Sequence, residues 1–455
     1  MAITITGANG EVYTLAAATG RGRAPALQLQ SKINTAVAQN PDSVGFYSEA
    51  GVYQASSAYE YLVVADDTDT STGGITLNNS GFSANLINIL AGRKSGTTYN
   101  ANNESGQIVN TAGSLDFNGA GKTGAWTLFT GDGDSTIKST DGNNRINTGT
   151  GKNTITLGFG NNSVYSEGQD TITGGGTGYQ SVTLVGSNSQ VSIDGTALVA
   201  DASTGEKNTI SVGKNSTVTG GSSTTVTYTD GDKNEFLAGN QNTVSASANV
   251  NSLKVIHGGD NTFNVNNKLG LFNANGNTNV TVNGQFVGFG ASDSNYTVNA
   301  GGSDSGLFVA NIGNETLNAS GSTAAIQIYA NTVSGAQSNF VASGGSANDT
   351  LVAGTGNSTF SGGAGDNLFL FTKETGQGGN TVITDFANSS QNKIGLLNFG
   401  LDDNSLAQLL KNSQNDTSGN AVLNIEGRNI TVENVAVSDL NADRFVLINT
   451  PTHTA

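Results

Sequence analysis

Cysteine is absent from the whole 455-residue chain, which removes disulfides and thiolate metal ligands together. Stability must then come from hydrogen-bonded ladders, packing and, where carboxylates gather, hard cations. Only 3 prolines and 12% charged residues are present, while 35% of the residues are apolar and recur periodically. Disordered Gly/Ser-rich chains instead combine low hydrophobicity with high net charge or many prolines, so this chain is expected to fold. Basic residues are scarce, and a net charge of −16 leaves no basic face for a nucleic-acid partner. Long apolar runs are missing too: nothing approaches the ~20 residues of a membrane helix, so no membrane insertion is expected. Met1 to Gly20 has neither the basic start nor the apolar core of a Sec signal peptide.

What the chain has in abundance is glycine, 63 residues spread along most of its length. From Gly131 to Thr173 a β-branched residue recurs every nine positions, at Ile137, Ile146, Ile155 and Val164, each preceded by a small-polar turn. A fixed period of this kind marks a solenoid, whose repeats bury their apolar side chains only by stacking on one another. The step loosens but persists from Ile210 through Val218, Val226, Phe236, Val244, Leu253, Phe263, Leu271, Val280, Val287, Tyr296, Leu307, Leu317 and Ile326. Two short strands per coil make a turn of roughly 18 residues. The fold class expected is all-β, a parallel β-roll or β-helix solenoid over 126–371 between a β-rich N-terminal cap (1–125) and a β-rich C-terminal domain (372–455).

Within the N-terminal region, Ile3 and Ile5 alternate with threonines before Asn9-Gly10, the pattern of a hairpin with a type I′ turn. Ala24 to Val37, with Leu27, Leu29, Ile33 and Ala36, predicts a helix, expected to lie across one end of the solenoid. Strand-like runs follow at Tyr61 to Val64, Ile75 to Leu77 and Leu86 to Leu90.

The Ca²⁺-binding nonapeptide reads G-G-x-G-x-D-x-U-x, with U large and apolar; its glycines permit the turn, its carbonyls supply oxygens, and the Asp two before U adds a carboxylate. Gly344 to Val352 matches it except at the fourth position, and two further units follow in register at Gly354 to Phe360 and Gly362 to Phe369. These three units resemble the repeats-in-toxin (RTX) family. Elsewhere the position two before U mostly carries Asn: Asn144, Asn153, Asn162, Asn208, Asn234, Asn242, Asn251, Asn261 and Asn380. Stacked amides can hydrogen-bond to one another where stacked carboxylates would repel. A central roll largely independent of Ca²⁺ is therefore expected, with metal confined to turns near Asp132, Asp134, Asp170, Asp349, Asp366 and Asp385.

A second resemblance covers the C-terminus. Gly378 to Phe386, Asn392-Lys393-Ile394, Gly419 to Leu423, Asn429 to Val432 and Phe445 to Leu447 look like the C-terminal domain of serralysin-type RTX proteins. That likeness implies type I secretion by an uncleaved C-terminal signal, and hence an extracellular location on a Gram-negative bacterium. Asn392 and Gly395 stand where that family usually carries Asp, which weakens a Ca²⁺ site there.

Catalytic signatures are missing. H-E-x-x-H and G-x-S-x-G are absent, and His257 and His453 are the sole histidines. Tyr296, His257 and Asp304 are the nearest thing to a β-helix lyase set, and they lie on different repeats. Thr-x-Thr triplets such as Thr154 to Thr156 and Thr171 to Thr173 resemble ice-binding solenoid faces, but the sequence gives them no single repeat position. The function expected is non-enzymatic: an extracellular structural protein self-assembling into a surface layer, filament or biofilm matrix. Its partners are other copies of the chain, through end or edge contacts such as the Ile3 to Thr6 strand, with a cell-surface polysaccharide as a further candidate. The alternatives are a Ca²⁺-dependent adhesin or glycan-binding protein and, behind it, a polysaccharide-active β-helix enzyme.

Overall fold

A three-residue strand with one inward side chain is too small to be stable alone. In Thr154–Thr156, Ile155 is fully buried and both threonines are exposed. Burial of such a side chain is worth about 1.5–3 kcal/mol, but only when the strands above and below are present. The computed structural model describes residues 2–56, 58–66, 73–79, 86–205, 207–237, 239–331, 333, 338–373 and 378–449. It is an all-β parallel solenoid architecture, divided into two units, Met1–Thr229 and Asp230–Ala455.

In the first unit the strands of consecutive nine-residue units go to opposite sheets, so the ladders join residues one coil apart. One sheet stacks Ile137, Ile155, Ile172, Val191, Ile210 and Val226 in parallel register. The other stacks Leu128, Ile146, Val164, Val182, Val199 and Val218. All twelve are at most 2% exposed, so the two rows form the core between the sheets. Stacked turns come close enough to require glycine: a Cβ on Gly149 would lie 1.9 Å from the Gly131 carbonyl oxygen.

Parallel coils begin with Val44–Tyr47 on Tyr61–Val64, well before the boundary expected at residue 125. Residues 44–125 already bury strand side chains in the same way, but longer connections hide the nine-residue step from a periodicity search. The predicted helix forms as α1 (Arg23–Gln39), and the hairpin as β1 (Ile3–Thr6) and β2 (Val12–Leu15). They do not cross an end of the coils. Ala26, Leu29 and Ile33 of α1 pack with Ile3, Ile5 and Leu15 onto Val63, Leu90, Val109 and Phe129, outward residues of successive strands in one sheet. An apolar sheet face is what an amphipathic helix and hairpin cover best. The β1–β2 loop is also longer than the expected two-residue turn, closed by Gly7 N–H donating to Glu11 O at 2.8 Å.

In the second unit the core is more aromatic, with Tyr296, Phe308, Phe340 and Phe360 following one another at ring-centroid spacings of 5.1, 6.1 and 6.2 Å. Val287 and Leu307, expected inside, are only partly covered; Phe286 and Phe308 are buried instead, because the larger neighbour takes the inward position and period-2 alternation turns the next residue out. The ladder runs past residue 371 through Lys393–Leu397 to Phe445–Ile448. The hairpin Ala421–Ile425/Arg428–Val432 joins Thr381–Ile383 through its second strand. Its two-residue turn has positive φ at Glu426 (50°) and Gly427 (84°), the type I′ geometry expected at the other end of the chain. Helix α2 (Asp403–Asn412) is capped by Asp402, whose carboxylate accepts from Ser405 N–H.

Candidate metal centre and the amide ladder

The position two residues before each inward apolar side chain lies at the end of a strand, where stacked turns put backbone carbonyls close together. In the first unit Asn144 accepts at Oδ1 from Trp126 N (3.1 Å) and donates from Nδ2 to Thr140 O (2.9 Å), Gly142 O (2.7 Å) and Asn162 Oδ1 (2.9 Å). Asn162 repeats the pattern one coil on, donating to Gly158 O (3.1 Å), Gly160 O (2.8 Å) and Gln180 Oε1 (2.9 Å). The expected amide ladder is therefore present. Asn153, Asn208, Asn234, Asn242 and Asn261 are buried likewise, whereas Asn251 and Asn380 lie exposed and outside it.

The six expected Asp residues divide into three kinds. Asp132, Asp134 and Asp366 are exposed on turns: Asp132 accepts from Thr19 Oγ1 (2.6 Å), Asp134 from Lys152 N (2.7 Å) and Asp366 from Ser389 Oγ (2.9 Å). Asp170 is buried and saturated, accepting from Asn153 N (3.0 Å), Asn153 Nδ2 (2.8 Å), Thr148 Oγ1 (2.6 Å) and Ser166 Oγ (2.7 Å). Those donors use the acceptor sites a cation would need.

Asp349 and Asp385 are different: each accepts backbone N–H from a glycine turn, Asp349 at Gly344-Gly345 and Asp385 at Gly362-Gly363, the two Asp residues themselves lying two coils apart. Asp349 is 1% exposed and accepts from Ile326 N (2.7 Å) and Gly345 N (2.7 Å). Asp385 accepts from Gly362 N (2.8 Å), Gly363 N (2.8 Å) and Ser361 Oγ (2.7 Å). A Cβ on Gly344 would overlap Asp349 Oδ2 at 2.3 Å and the Gly362 carbonyl oxygen at 2.5 Å, so only glycine lets a carboxylate and a carbonyl of successive coils approach the same backbone position. Burial raises the Asp349 pKa, with its two N–H partners opposing. None of the four ion pairs among the described residues includes it.

The two turn edges thus meet the demands of a hard cation unequally. Around Asn144 and Asn162 the amide nitrogens already sit among the oxygens, so Ca²⁺ does not fit that ladder. Around Gly344 the donor set is carboxylate and carbonyl oxygen, which suits Ca²⁺. Bound there, the ion would cross-link coils and neutralise Asp349, with Asp349 and the Gly362 carbonyl as its holders.

The family model of the RTX calcium-binding nonapeptide repeat matches residues 129–164 and 343–371, in 4 copies. The chain carries RTX repeats. Its matched segments contain the two edges just described, the amide ladder in the first and the Asp349 turn in the second. RTX nonapeptides are calcium-binding motifs, so Ca²⁺ is the cofactor of these repeats. No match to a curated protein or to a solved structure was found.

Two carboxylates escaped the sequence reading. Glu167 lies 4.0 Å from Arg21, which stacks 3.4 Å above the Tyr165 ring; burial raises the Glu167 pKa, Arg21 opposes and Asp132 adds to it. Glu315 is 2% exposed and stands two before Leu317, so the rule that found Asp349 would have found it had Glu been allowed for Asp. Of the proposed lyase set, Tyr296 is buried with its hydroxyl donating to Ala274 O and accepting from Ala291 N, while His257 and Asp304 are exposed; His453 lies outside the described residues.

The threonines do share a register after all. In one sheet of the first unit Thr76, Thr98, Asp116, Thr136, Thr154, Thr171, Gln190, Thr209 and Thr225 form one outward row. Irregular coil lengths shift their sequence spacing without shifting their place in the ladder.

Proposed function

We propose that this chain is a non-enzymatic extracellular structural protein, exported by a type I route through its C-terminal region, that self-assembles into a surface layer, filament or matrix. The observation that supports assembly best is a bare apolar row. In the second unit Phe272, Phe289, Val309 and Tyr329 follow one another on the outer face of one sheet, with Phe272 and Phe289 stacked at 5.5 Å. Val309 and Tyr329, with Leu307, Gln327 and Val333, line an open groove of about 480 Å³, and Phe289, one strand before Val309, is 38% exposed. In the first unit an apolar row of the same kind is covered by the chain's own helix and hairpin. Exposed, contiguous apolar surface of this sort is characteristic of interaction sites. The β1 edge is a weaker junction, since its Thr4 carbonyl already accepts from Gln30 Nε2 at 2.8 Å.

Electron microscopy of purified protein with and without Ca²⁺ tests assembly. Ordered polymers are expected from the native chain and monomers from Phe289→Asp/Leu307→Asp. Native protein that stays monomeric at high concentration in both conditions overturns the proposal.

A second function is supported by the threonine row, whose side chains recur at the ~4.8 Å spacing of adjacent strands and whose χ1 angles are stiff. Such an array suits adhesion to an ordered, hydroxyl-bearing surface such as a polysaccharide. Retention on insoluble polysaccharide by the native chain and release by Thr154→Tyr/Thr171→Tyr would support it; equal retention would reject it.

A further inference from the structure

We propose that one turn edge of the first unit, formed by residues 141–143, 159–161 and 176–179, binds neutral saccharide chains, taking a pyranose ring on its aromatic side chains and the hydroxyls on its amides and carboxylate. The site goes beyond the threonine row, which lies on a strand face rather than on this edge. Phe159 is 63% exposed and Tyr179 44%. One exposed apolar residue needs no explanation, but two aromatic rings on successive turns of the same edge make a patch. Phe159 is also held in place. Its ring lies against the backbone of Gly176 in the next coil, where a Cβ would meet Cδ1 at 2.2 Å and Cε1 at 2.8 Å, so glycine leaves the ring its seat.

The polar groups beside the rings are fixed from behind. Asn143 Oδ1 accepts from Asn161 N (2.9 Å), and Asn161 Oδ1 accepts from Tyr179 N (2.8 Å), so the next coil orients each exposed amide and leaves its Nδ2 to donate outward. Those nitrogens recur one coil apart, about 4.8 Å. Asp141 Oδ1 accepts from Phe159 N (3.1 Å), and its Oδ2 is engaged by none of the described hydrogen bonds or ion pairs. A sugar ring packs its C–H face on an aromatic and exchanges hydrogen bonds through its hydroxyls. Here the rings, two donors and an acceptor are ordered before it arrives, which lowers the cost of binding. Charge then selects among saccharides. The three turns carry one carboxylate and no basic residue, on a chain of net charge −16, so a uronate, sulfate or phosphate chain is repelled and a neutral one accepted.

The full-length chain is run through native gels containing galactomannan, xyloglucan or dextran as neutral chains, or polygalacturonate as an anionic one. Native protein should be retarded by a neutral chain and not by polygalacturonate. Phe159→Ala/Tyr179→Ala should weaken that affinity by about tenfold or more, with the fold intact by circular dichroism. Asn161→Asp, which keeps the acceptor and removes the donor, should weaken it by about three- to tenfold. Thr154→Tyr/Thr171→Tyr should keep the retardation, which separates this site from the threonine row. No retardation by any of the three neutral chains, equal retardation of the aromatic variant, or loss in the threonine variant alone would overturn the proposal. So would an aromatic variant that shifts the oligomeric state in sedimentation and leaves retardation intact, because the occupant of the edge would then be a second copy of the chain.

Discussion

The turn edge at Asn144–Asn162 and the turn edge at Asp349–Asn367 share one backbone device and differ in a single atom type. In both, an oxygen two positions before the inward side chain accepts a backbone N–H from the neighbouring coil: Asn144 N to Asn162 Oδ1 at 3.0 Å, and Asp349 N to Asn367 Oδ1 at 2.8 Å. The other side-chain atom sets the chemistry. An amide nitrogen donates to the turn carbonyls and closes the ladder without metal. A second carboxylate oxygen cannot donate, and it leaves buried negative charge that a cation or a proton must answer. One repeat geometry therefore holds either an amide that closes the stack by itself or a carboxylate, which neighbouring donors saturate at Asp170 and leave with acceptor sites to spare at Asp349.

The comparison is broken most severely by exchanging the two chemistries. Asn144→Asp/Asn162→Asp places adjacent carboxylates in a buried ladder, and in chelator it should cost about 3–5 kcal/mol by denaturant unfolding. Saturating Ca²⁺ should recover much of that loss; no recovery would mean that the turn carbonyls there cannot serve a cation.

A smaller effect comes from pH. The Glu315 pKa is pushed up to about 7 by burial, with the Asn311 N–H opposing and Asp293 adding, so the folded state holds its proton more tightly than the unfolded chain. Its contribution to stability is fully present below the unfolded value near 4.5 and is lost as pH rises through about 7. In chelator the chain should thus gain about 2–3 kcal/mol between pH 8 and pH 4.5 from this group, with Asp349 acting in the same direction. Glu315→Gln should flatten that pH dependence in melting experiments.

The smallest change expected is at Asp349. Replacing it by Asn removes the buried charge but sets an amide nitrogen against one of the two backbone N–H groups Asp349 accepts, so Asp349→Asn should change stability in chelator by no more than about 1 kcal/mol while losing part of the Ca²⁺-induced rise in Tm. A large destabilisation in chelator would show that the carboxylate has a structural role without metal.

Much of the coil interior was legible because it follows from local pattern. Ile137, Ile146, Ile155 and Val164 are inward because a turn-rich nine-residue unit has one apolar side chain to bury, and Asn144, Asn153 and Asn162 lie in the ladder because their offset from it is fixed. Val287 and Leu307 were misplaced because a larger neighbour, Phe286 or Phe308, competes for the same inward position, and period alone does not decide between adjacent apolar residues. Glu315 was missed because the nonapeptide pattern asks for Asp.

The sequence by itself determined the coil, its apolar interior and the amide ladder, since each depends on residues at a fixed short spacing. Only the tertiary structure decided which carboxylates are saturated, as Asp170 is, and which stay buried with acceptor sites to spare, as Asp349 does. It alone showed that the threonines share one row, and that the helix and hairpin cover a sheet face while the Phe272 to Tyr329 row stays bare. These facts depend on what lies one coil away or across a face, where sequence distance carries no information about contact.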